Sequence, residues 1–370
     1  MPVNYVLDLR IANEHFPGIG RYGINLAWKI PKFLEKDERL VLIRDPGHCS
    51  FPFPSGDKVE TFDIPSTPFS LAQQWLIPLA LKNLKPCLYH SLYYVMPYRP
   101  ATVTLLTVYD LIPLLYPQSV SLRARLLFRY LFLLALSSSS GIIVVSNTTL
   151  NDLKARFKIG GKGLAMIPLA ADPAFQPCLP HEREAVRLKY KLPERFILFV
   201  GSHKPHKNLE NLLKAFARTR ARTNAILAIA GPGSRNSWRL RALAQKLGLE
   251  NSVRWLGRVP DDDLPALYSA SAAFVFPSLY EGFGLPVLEA MSCSAPVICS
   301  DIPALREVAG EAAFYFNPLS PDSIAQAIDT VMENQELRKD LTERGLARAA
   351  MFSWDKSAHQ TIAFYRKILG

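Results

Sequence analysis

Cysteine is scarce in this chain, and acidic residues are outnumbered by basic ones. Five cysteines, Cys49, Cys87, Cys178, Cys293 and Cys299, are scattered over 370 residues with no C-x-x-C pair. An odd, unclustered set excludes a disulfide scaffold and a zinc finger, and fits a reducing cytosol. A long hydrophobic run is also missing. The first apolar stretch, "YVLDL", contains Asp8 and is followed by Arg10, so the N-terminus reads as neither a signal peptide nor a membrane span. There is no lysine-rich tail, no aromatic-basic RNA-binding motif and no internal repeat of roughly 20–50 residues. Nucleic acid is therefore not an expected partner.

What the chain has is core and positive charge. Hydrophobic residues make up 49% and charged residues 20%, and the length suits two domains of ordinary size. Lys and Arg number 43 against 32 Asp and Glu, a formal net charge of +11. Part of the excess is local: between Leu76 and Asp172 ten Lys or Arg face three Asp. A phosphate-bearing ligand or an anionic membrane surface would complement it.

Along the first half, "YVLDL" reads as a buried strand, "PGIGRYG" as a glycine turn, and "INLAWKIPKFL" as a helix interrupted at Pro31. Strand, glycine turn and helix open a Rossmann-like unit. Further apolar runs stand at 40–43, 104–110 and 141–146, with helical patterns at "SLRARLLFRYLFLLAL" and "NTTLNDLKARF", the latter capped by Ser146 or Asn147. A proline-rich connection at 167–180 leads to a second series. Strands are expected at 196–201, 225–231, 253–257, 272–278 and 296–301, alternating with helices at 208–219, 236–247, near 262–270 and from about 286. Short apolar strands alternating with helices specify parallel sheet covered on both faces. The expected fold is α/β, with two doubly wound Rossmann-like domains facing a cleft that holds the ligand.

The stretch "YEGFGLPVLEA" carries the chemistry. Gly282 and Gly284 allow backbone N–H groups close to a ligand. Pro286 suits the first turn of a helix, whose N-terminus favours a phosphate. Glu281 precedes the turn and Glu289 follows it, placed to accept hydrogen bonds from sugar or ribose hydroxyls. Packing and capping explain the same residues: Glu289 as a solvated helix residue, Glu281 as a capping acid. Asp261-Asp262-Asp263 has an Asp-x-Asp spacing, but it stands before "LPALYSAS" and reads as a helix cap rather than a metal site. His90, in "LYHSLYY", reads equally as a site residue or a packed one.

The segment "PSLYEGFGLPVLEAMSCSAPVICSDIPALREVAGEAAFYFNP" resembles the donor-binding region of glycosyltransferase family 4, retaining, nucleotide-sugar-dependent and mannosyltransferase-like enzymes of the GT-B fold. The likeness extends through "FVGSHKPHKNLENLLKAF", "LAIAGPGS", "VRWLGRVPDDDLPALYSASAAFVFPS" and, in the first half, "GIGRYGINLA", "TVYDLIPLLYP", "VVSNTTLNDL" and "IPLAADPAF". It implies a first, acceptor domain over 1–175, a donor domain over 176–353, and a C-terminal helix at about 354–370, capped by Ser353, that packs back onto the first domain. It further implies that Glu281 contacts the donor sugar, that Lys207 holds the diphosphate, and that Glu289 binds the ribose. The backbone of Phe283, Gly284 and Leu285 would meet the diphosphate and sugar, and the Gly18-Ile19-Gly20 loop would close over phosphates or acceptor. No metal or other cofactor is implied; the nucleotide-diphosphate sugar is the donor substrate. The activity implied is transfer of a hexose, mannose among the candidates, to a glycan or lipid-linked acceptor in cell-surface polysaccharide synthesis.

The pattern is departed from in two places. Tyr109 stands where family members carry a histidine that touches the donor sugar, and Ser202 where many carry an arginine; Lys204, or in part His206, would supply the missing charge. These departures keep a second reading open, an inactive GT-B scaffold subunit of a glycan-assembly complex. A dehydrogenase fits worse, because no acidic residue ends a second strand about 20 residues after the glycines. The helix "SLRARLLFRYLFLLAL" is too short and too charged to span a bilayer. It reads either as a core helix with an arginine edge or as an element lying on an anionic leaflet. The expected location is the cytoplasm, with peripheral contact at the inner face of the membrane.

Overall fold

β1 (Val3–Asp8) lies inside a seven-stranded sheet, third from one edge, in which every pairing is parallel. The computed structural model describes residues 3–12, 17–48, 52–234 and 237–370. Cys49 lies outside them. The four described cysteines are free thiols.

In chain order, α1 (Pro17–Lys29) leads to β2 (Glu38–Arg44) and β3 (Val59–Asp63). Then α2 (Gln73–Leu84) returns across the sheet to β4 (Leu88–Ser91) and β5 (Val103–Val108). α3 (Ile112–Leu115) and α4 (Leu122–Ser138) precede β6 (Gly141–Val144), and α5 (Asn147–Arg156) precedes β7 (Gly163–Met166). The strand order is β3-β2-β1-β4-β5-β6-β7. Pro31 ends α1 as its position demands: a short 3-10 turn, Ile30–Phe33, replaces the helix there. Ser146 caps α5 by accepting from Thr149 N–H.

Alternation along β1 separates the two faces. Val6 belongs to one buried cluster with Ile77 and Leu81 of α2 and Phe128 and Phe132 of α4, so these two helices share one face of the sheet. Tyr5 points the other way, its ring 5.2 Å from that of Tyr365 on the last helix, α14 (Trp354–Leu369). Ser353 caps α14 through Lys356 N–H. Arg366 clasps Glu38 with bonds of 2.9 and 2.7 Å, and Ser357 donates to the Pro168 carbonyl. Gly141 and Gly163 leave room for Ile368, whose Cδ1 would sit 3.1 and 2.1 Å from a Cβ at those positions. Asp8 and Arg10, the charges that break the first apolar run, form a buried ion pair at 2.6 Å, and Tyr89 donates to Asp8. A buried pair of this kind is tolerated because its remaining polar atoms are also satisfied.

The chain divides into two compact units, residues 1–169 with 353–370, and residues 170–352. The second contains α6 (Pro180–Lys189), β8 (Phe196–Val200), α7 (Leu209–Thr223), β9 (Ile226–Ala230), α8 (Ser237–Lys246), β10 (Val253–Gly257) and α9 (Leu264–Ala270). There follow β11 (Ala273–Phe276), α10 (Leu285–Ser292), β12 (Val297–Ser300), α11 (Pro303–Ala309), β13 (Phe314–Phe316), α12 (Pro321–Glu333) and α13 (Gln335–Ala349). Its six strands, also all parallel, run in the order β10-β9-β8-β11-β12-β13. Both sheets reverse direction in their strand order, so both units are doubly wound.

Two local expectations are corrected. The Gly18-Ile19-Gly20 segment is not a loop but the first turns of α1. Asp263 precedes α9 without capping it: its carboxylate accepts from Lys189 and from Tyr190 instead. Among the described residues no group of three or more His, Cys, Asp or Glu is placed to hold a metal ion.

Candidate active site

β8 and β11 are neighbours at the point where the second sheet reverses its winding. In open α/β sheets ligands bind there, outside the carboxyl ends of the strands. The loops leaving these two strands carry Lys207 and Glu281. Lys207 sits in a 3-10 turn, Pro205–Lys207, stopped by Asn208 in the left-handed region at φ 59°. The Asn208 amide donates to the carbonyls of Pro277 and Pro318 at 3.0 and 2.7 Å, which fixes the turn against the neighbouring loop. Leu279 N–H to His206 O at 2.8 Å adds a second tie.

Between the tied loops Lys207 Nζ lies 2.6 Å from Glu281 Oε1. The ammonium also stands 4.9 Å from the Phe276 ring centroid. Glu281 is 8% exposed and Glu289 3%. A solvated Glu289 is thereby excluded: α10 buries it, and Tyr268 of α9 donates to its Oε2 at 3.2 Å. A capping role for Glu281 gives way to the ion pair.

The turn between the two glutamates needs glycine. Gly284 has φ +110°, and a Cβ there would lie 2.5 Å from Leu305 Cδ2. Gly284 is the N-cap of α10 and Pro286 in its first turn has no N–H, so Leu285 carries the N–H left without an intrahelical acceptor, while Val287 N–H donates to Gly284 O. Gly231, after β9, has φ +136°, and its would-be Cβ falls 2.1 Å from the Gly201 carbonyl oxygen. The backbones of the β8 and β9 loops touch because that position carries no side chain.

The second unit thus ties Lys207 to Glu281, with Phe283 and Gly284 in the turn that follows, Leu285 at the start of α10 and Glu289 further along that helix. Phe283 is buried, its ring 6.0 Å from that of Phe352. Lys204 starts the same 3-10 turn and is exposed. His206 is buried, and burial, reinforced by Lys207 and Lys204, pushes its imidazole down to about 3. It is neutral and adds no charge in place of the absent arginine.

Gly18, Gly20 and Tyr109 belong to the first unit. Tyr109 follows β5 and packs edge-on against Tyr22 of α1, ring centroids 5.6 Å apart. Its hydroxyl is buried without a hydrogen-bond partner, and burial holds its pKa well above the usual phenol value. His90 takes the packed reading. It is fully buried, with Nδ1 2.6 Å from the Tyr365 hydroxyl and Nε2 2.7 Å from Thr107 Oγ1. Sequence reasoning passed over Tyr268 and Asn208. Tyr268 reads as one more apolar position of a short helix, and only the left-handed turn behind "PHKN" signals Asn208.

Comparison with known proteins places this arrangement. The sequence model described as Glycosyl transferases group 1 matches residues 182–348, inside the second unit. The "O-antigen chain mannosyltransferase B" of Escherichia coli is 34% identical over 296 residues, which cover 78% of this chain and 76% of that protein. Among solved structures, the sucrose-phosphate synthase of Thermosynechococcus elongatus superposes with a TM-score of 0.75 at 21% identity, over 99% of both chains. The Anabaena protein HepE, solved in complex with UDP and glucose, gives 0.74 at 19% identity over 99% of both chains. These structures share the GT-B fold of two parallel-sheet units. The chain belongs to the group 1 glycosyl transferases of GT-B fold and is mannosyltransferase-like.

Proposed function

We propose that this glycosyltransferase moves a hexose, mannose before other sugars, from a nucleotide-diphosphate donor to a hydroxyl of a glycan or lipid-linked acceptor in cell-surface polysaccharide synthesis. The observation that carries the reading is the Lys207–Glu281 pair, held nearly dry at the carboxyl ends of β8 and β11. Transfer breaks the bond between sugar C1 and the phosphate oxygen, and negative charge grows on the departing diphosphate. A fixed ammonium in a water-poor site is worth far more against such charge than in solvent. Lys207 takes that role, and Lys204 adds charge at the rim. The N–H groups of Phe283, Gly284 and Leu285, at the start of α10, meet the remaining phosphate oxygens. Glu281 contacts the sugar and faces the positive charge that builds at C1. Glu289 accepts from the ribose hydroxyls. Gly18, Gly20 and Tyr109 serve the acceptor or the sugar from the first unit.

We assign a retaining outcome. The acceptor oxygen bonds to C1 on the face the diphosphate leaves, and its proton passes to the departing phosphate oxygen. The carboxylates serve binding and charge stabilisation. Neutralisation of the diphosphate is assigned to Lys207, Lys204 and the α10 N-terminus, without a metal ion. The relatives that act in O-antigen chains support the polysaccharide setting, and HepE with UDP supports a nucleotide donor. The intact Lys207–Glu281 pair favours an enzyme over a scaffold.

The test is sugar transfer measured with a panel of nucleotide-diphosphate hexoses, for the native chain and for Glu281→Ala. The reading requires turnover by the native chain with at least one donor and its loss in the variant. Full transfer by Glu281→Ala would remove the assignment. Calorimetry separates the scaffold: no heat with any nucleoside diphosphate or its sugars favours it.

A further inference from the structure

The first unit shows solvent a surface that its own core does not explain. Along α4, Phe128, Phe132, Ala135 and Leu136 point into the sheet, and Leu122, Leu126, Tyr130 and Leu133 form a second apolar stripe on the opposite side. The spacing of that stripe, steps of four, four and three, keeps it on one helical face. Leu126 is 57% exposed and Tyr130 61%. α2, on the same face of the sheet, repeats the arrangement: Ile77 and Leu81 are buried, while Trp75 is 69% exposed and Leu79 59%. Phe69 and Leu71, just before α2, are exposed as well. The segment between β4 and β5 links the two helices. The Gln74 side chain donates to the Met96 carbonyl and accepts from Tyr98 N–H, while Ser138 donates to the Tyr98 carbonyl. Exposed apolar residues gathered on one side of a folded unit mark an interaction site.

Its charge is of one sign. Between residues 64 and 151 the only acidic residue is Asp110, against Lys82, Lys85, Arg99, Arg123, Arg125 and Arg129. α2 and α4 carry no Asp or Glu at all. Arg123 and Arg129 flank the α4 stripe, and Lys82 follows Leu79 on the outer side of α2. At the end of α2, Lys82 and Lys85 border a cleft of about 520 Å³ whose other walls include Pro78, Leu79, Pro100 and Ala101.

We infer that the outer faces of α2 and α4 dock on an anionic lipid bilayer. A second copy of this chain, meeting the same patch about a two-fold axis, would set these basic residues against themselves. Anionic headgroups complement them, while Trp75, Leu79, Leu126, Tyr130 and Leu133 enter the boundary between headgroups and acyl chains. No helix among the described residues is long and apolar enough to cross a membrane, so the surface lies on the bilayer. The inference stands on exposure and charge in the first unit and is independent of sugar transfer.

The full chain is mixed with vesicles of phosphatidylglycerol and phosphatidylethanolamine, or of phosphatidylcholine alone, and sedimented. Binding to the anionic vesicles is expected to exceed binding to the neutral ones at least tenfold, and to fall steeply at about 0.5 M salt. Trp75 emission shifts to the blue on binding, read as the difference between the native chain and Trp75→Phe. Leu126→Gln with Leu133→Gln, on exposed positions, lowers the bound fraction at least tenfold, with an unchanged circular dichroism spectrum. Should that variant misfold, Arg123→Gln with Arg129→Gln tests the same surface and is expected to raise the lipid concentration for half-binding several-fold. Absence of binding to anionic vesicles at low salt overturns the inference. So does a dimer in solution that these variants dissociate while the native chain leaves vesicles unbound.

Discussion

Lys207 Nζ and Glu281 Oε1 are 2.6 Å apart although 74 residues separate them in the chain. Two strand-end loops, tied by Asn208 and by the Leu279–His206 bond, hold them there. Removing either partner strands the other charge in a nearly dry site. Lys207→Met or Glu281→Gln is expected to destabilise by roughly 3 kcal/mol each. The double variant should lose clearly less than the two single losses combined, because the uncompensated charge is gone. Urea unfolding of the three variants checks this; additive losses would mean that the pair is not coupled.

Glu289 tests the proposed ribose contact separately from the proposed sugar contact at Glu281. Glu289→Gln keeps the shape of the side chain and an acceptor for the Tyr268 hydroxyl, but removes the charge. A charge-assisted bond to a ribose hydroxyl is worth about 1.5–3 kcal/mol, so the affinity for a nucleoside diphosphate should fall about ten- to a hundredfold. Calorimetry measures it. An unchanged affinity would take Glu289 out of the ribose site.

Acid should destabilise the fold through two histidines. Burial pushes His90 down to about 3, and His206 is lowered equally. In the unfolded chain both would titrate near the ordinary value of about 6.5. Above that pH both states are neutral and neither group changes stability. Below it the unfolded chain binds protons that the folded chain refuses. Stability is therefore lost as pH falls from about 6.5 towards about 3, at up to about 1.4 kcal/mol per pH unit per histidine. Thermal midpoints from about pH 7.5 to 4.5 should show the decline, and His90→Gln should flatten it while lowering the midpoint at neutral pH.

Gly284→Ala should damage the turn between the glutamates. Its φ of +110° disfavours any side chain, and the added methyl would meet Leu305 Cδ2 at 2.5 Å. Strain of this kind costs about 1–3 kcal/mol. Transfer should fall more than stability does, because the turn sets both the α10 N-terminus and Glu281. A variant with native turnover would show that the turn tolerates rearrangement.

Much of the architecture was legible in the chain. The strands at 253–257 and near 196–201, 225–231, 272–278 and 296–301 are all present, most trimmed by one or two residues at their ends. Their apolar runs are short and bounded, and periodicity is a local property. α2 and β3 escaped notice. α2 contains Pro78, and β3, at the sheet edge, is half-exposed with the sequence "VETFD". Neither shows a clean period. The glycine loop at 18–20 proved helical because nothing in a Gly-x-Gly pattern forbids the first turns of a helix, where backbone strain is small.

By itself the sequence determined two parallel α/β series, the glycine turn between Glu281 and Glu289, and the surplus of positive charge. Each depends on residues close together in the chain. Tertiary structure alone decided that Lys207 pairs with Glu281, that Tyr268 holds Glu289 in the interior, and that His90 is locked between Thr107 and Tyr365. It also decided that α4 serves the core with one face and leaves an apolar stripe uncovered on the other. Helical periodicity states which residues share a face. Which faces are covered depends on neighbours brought in from distant parts of the chain.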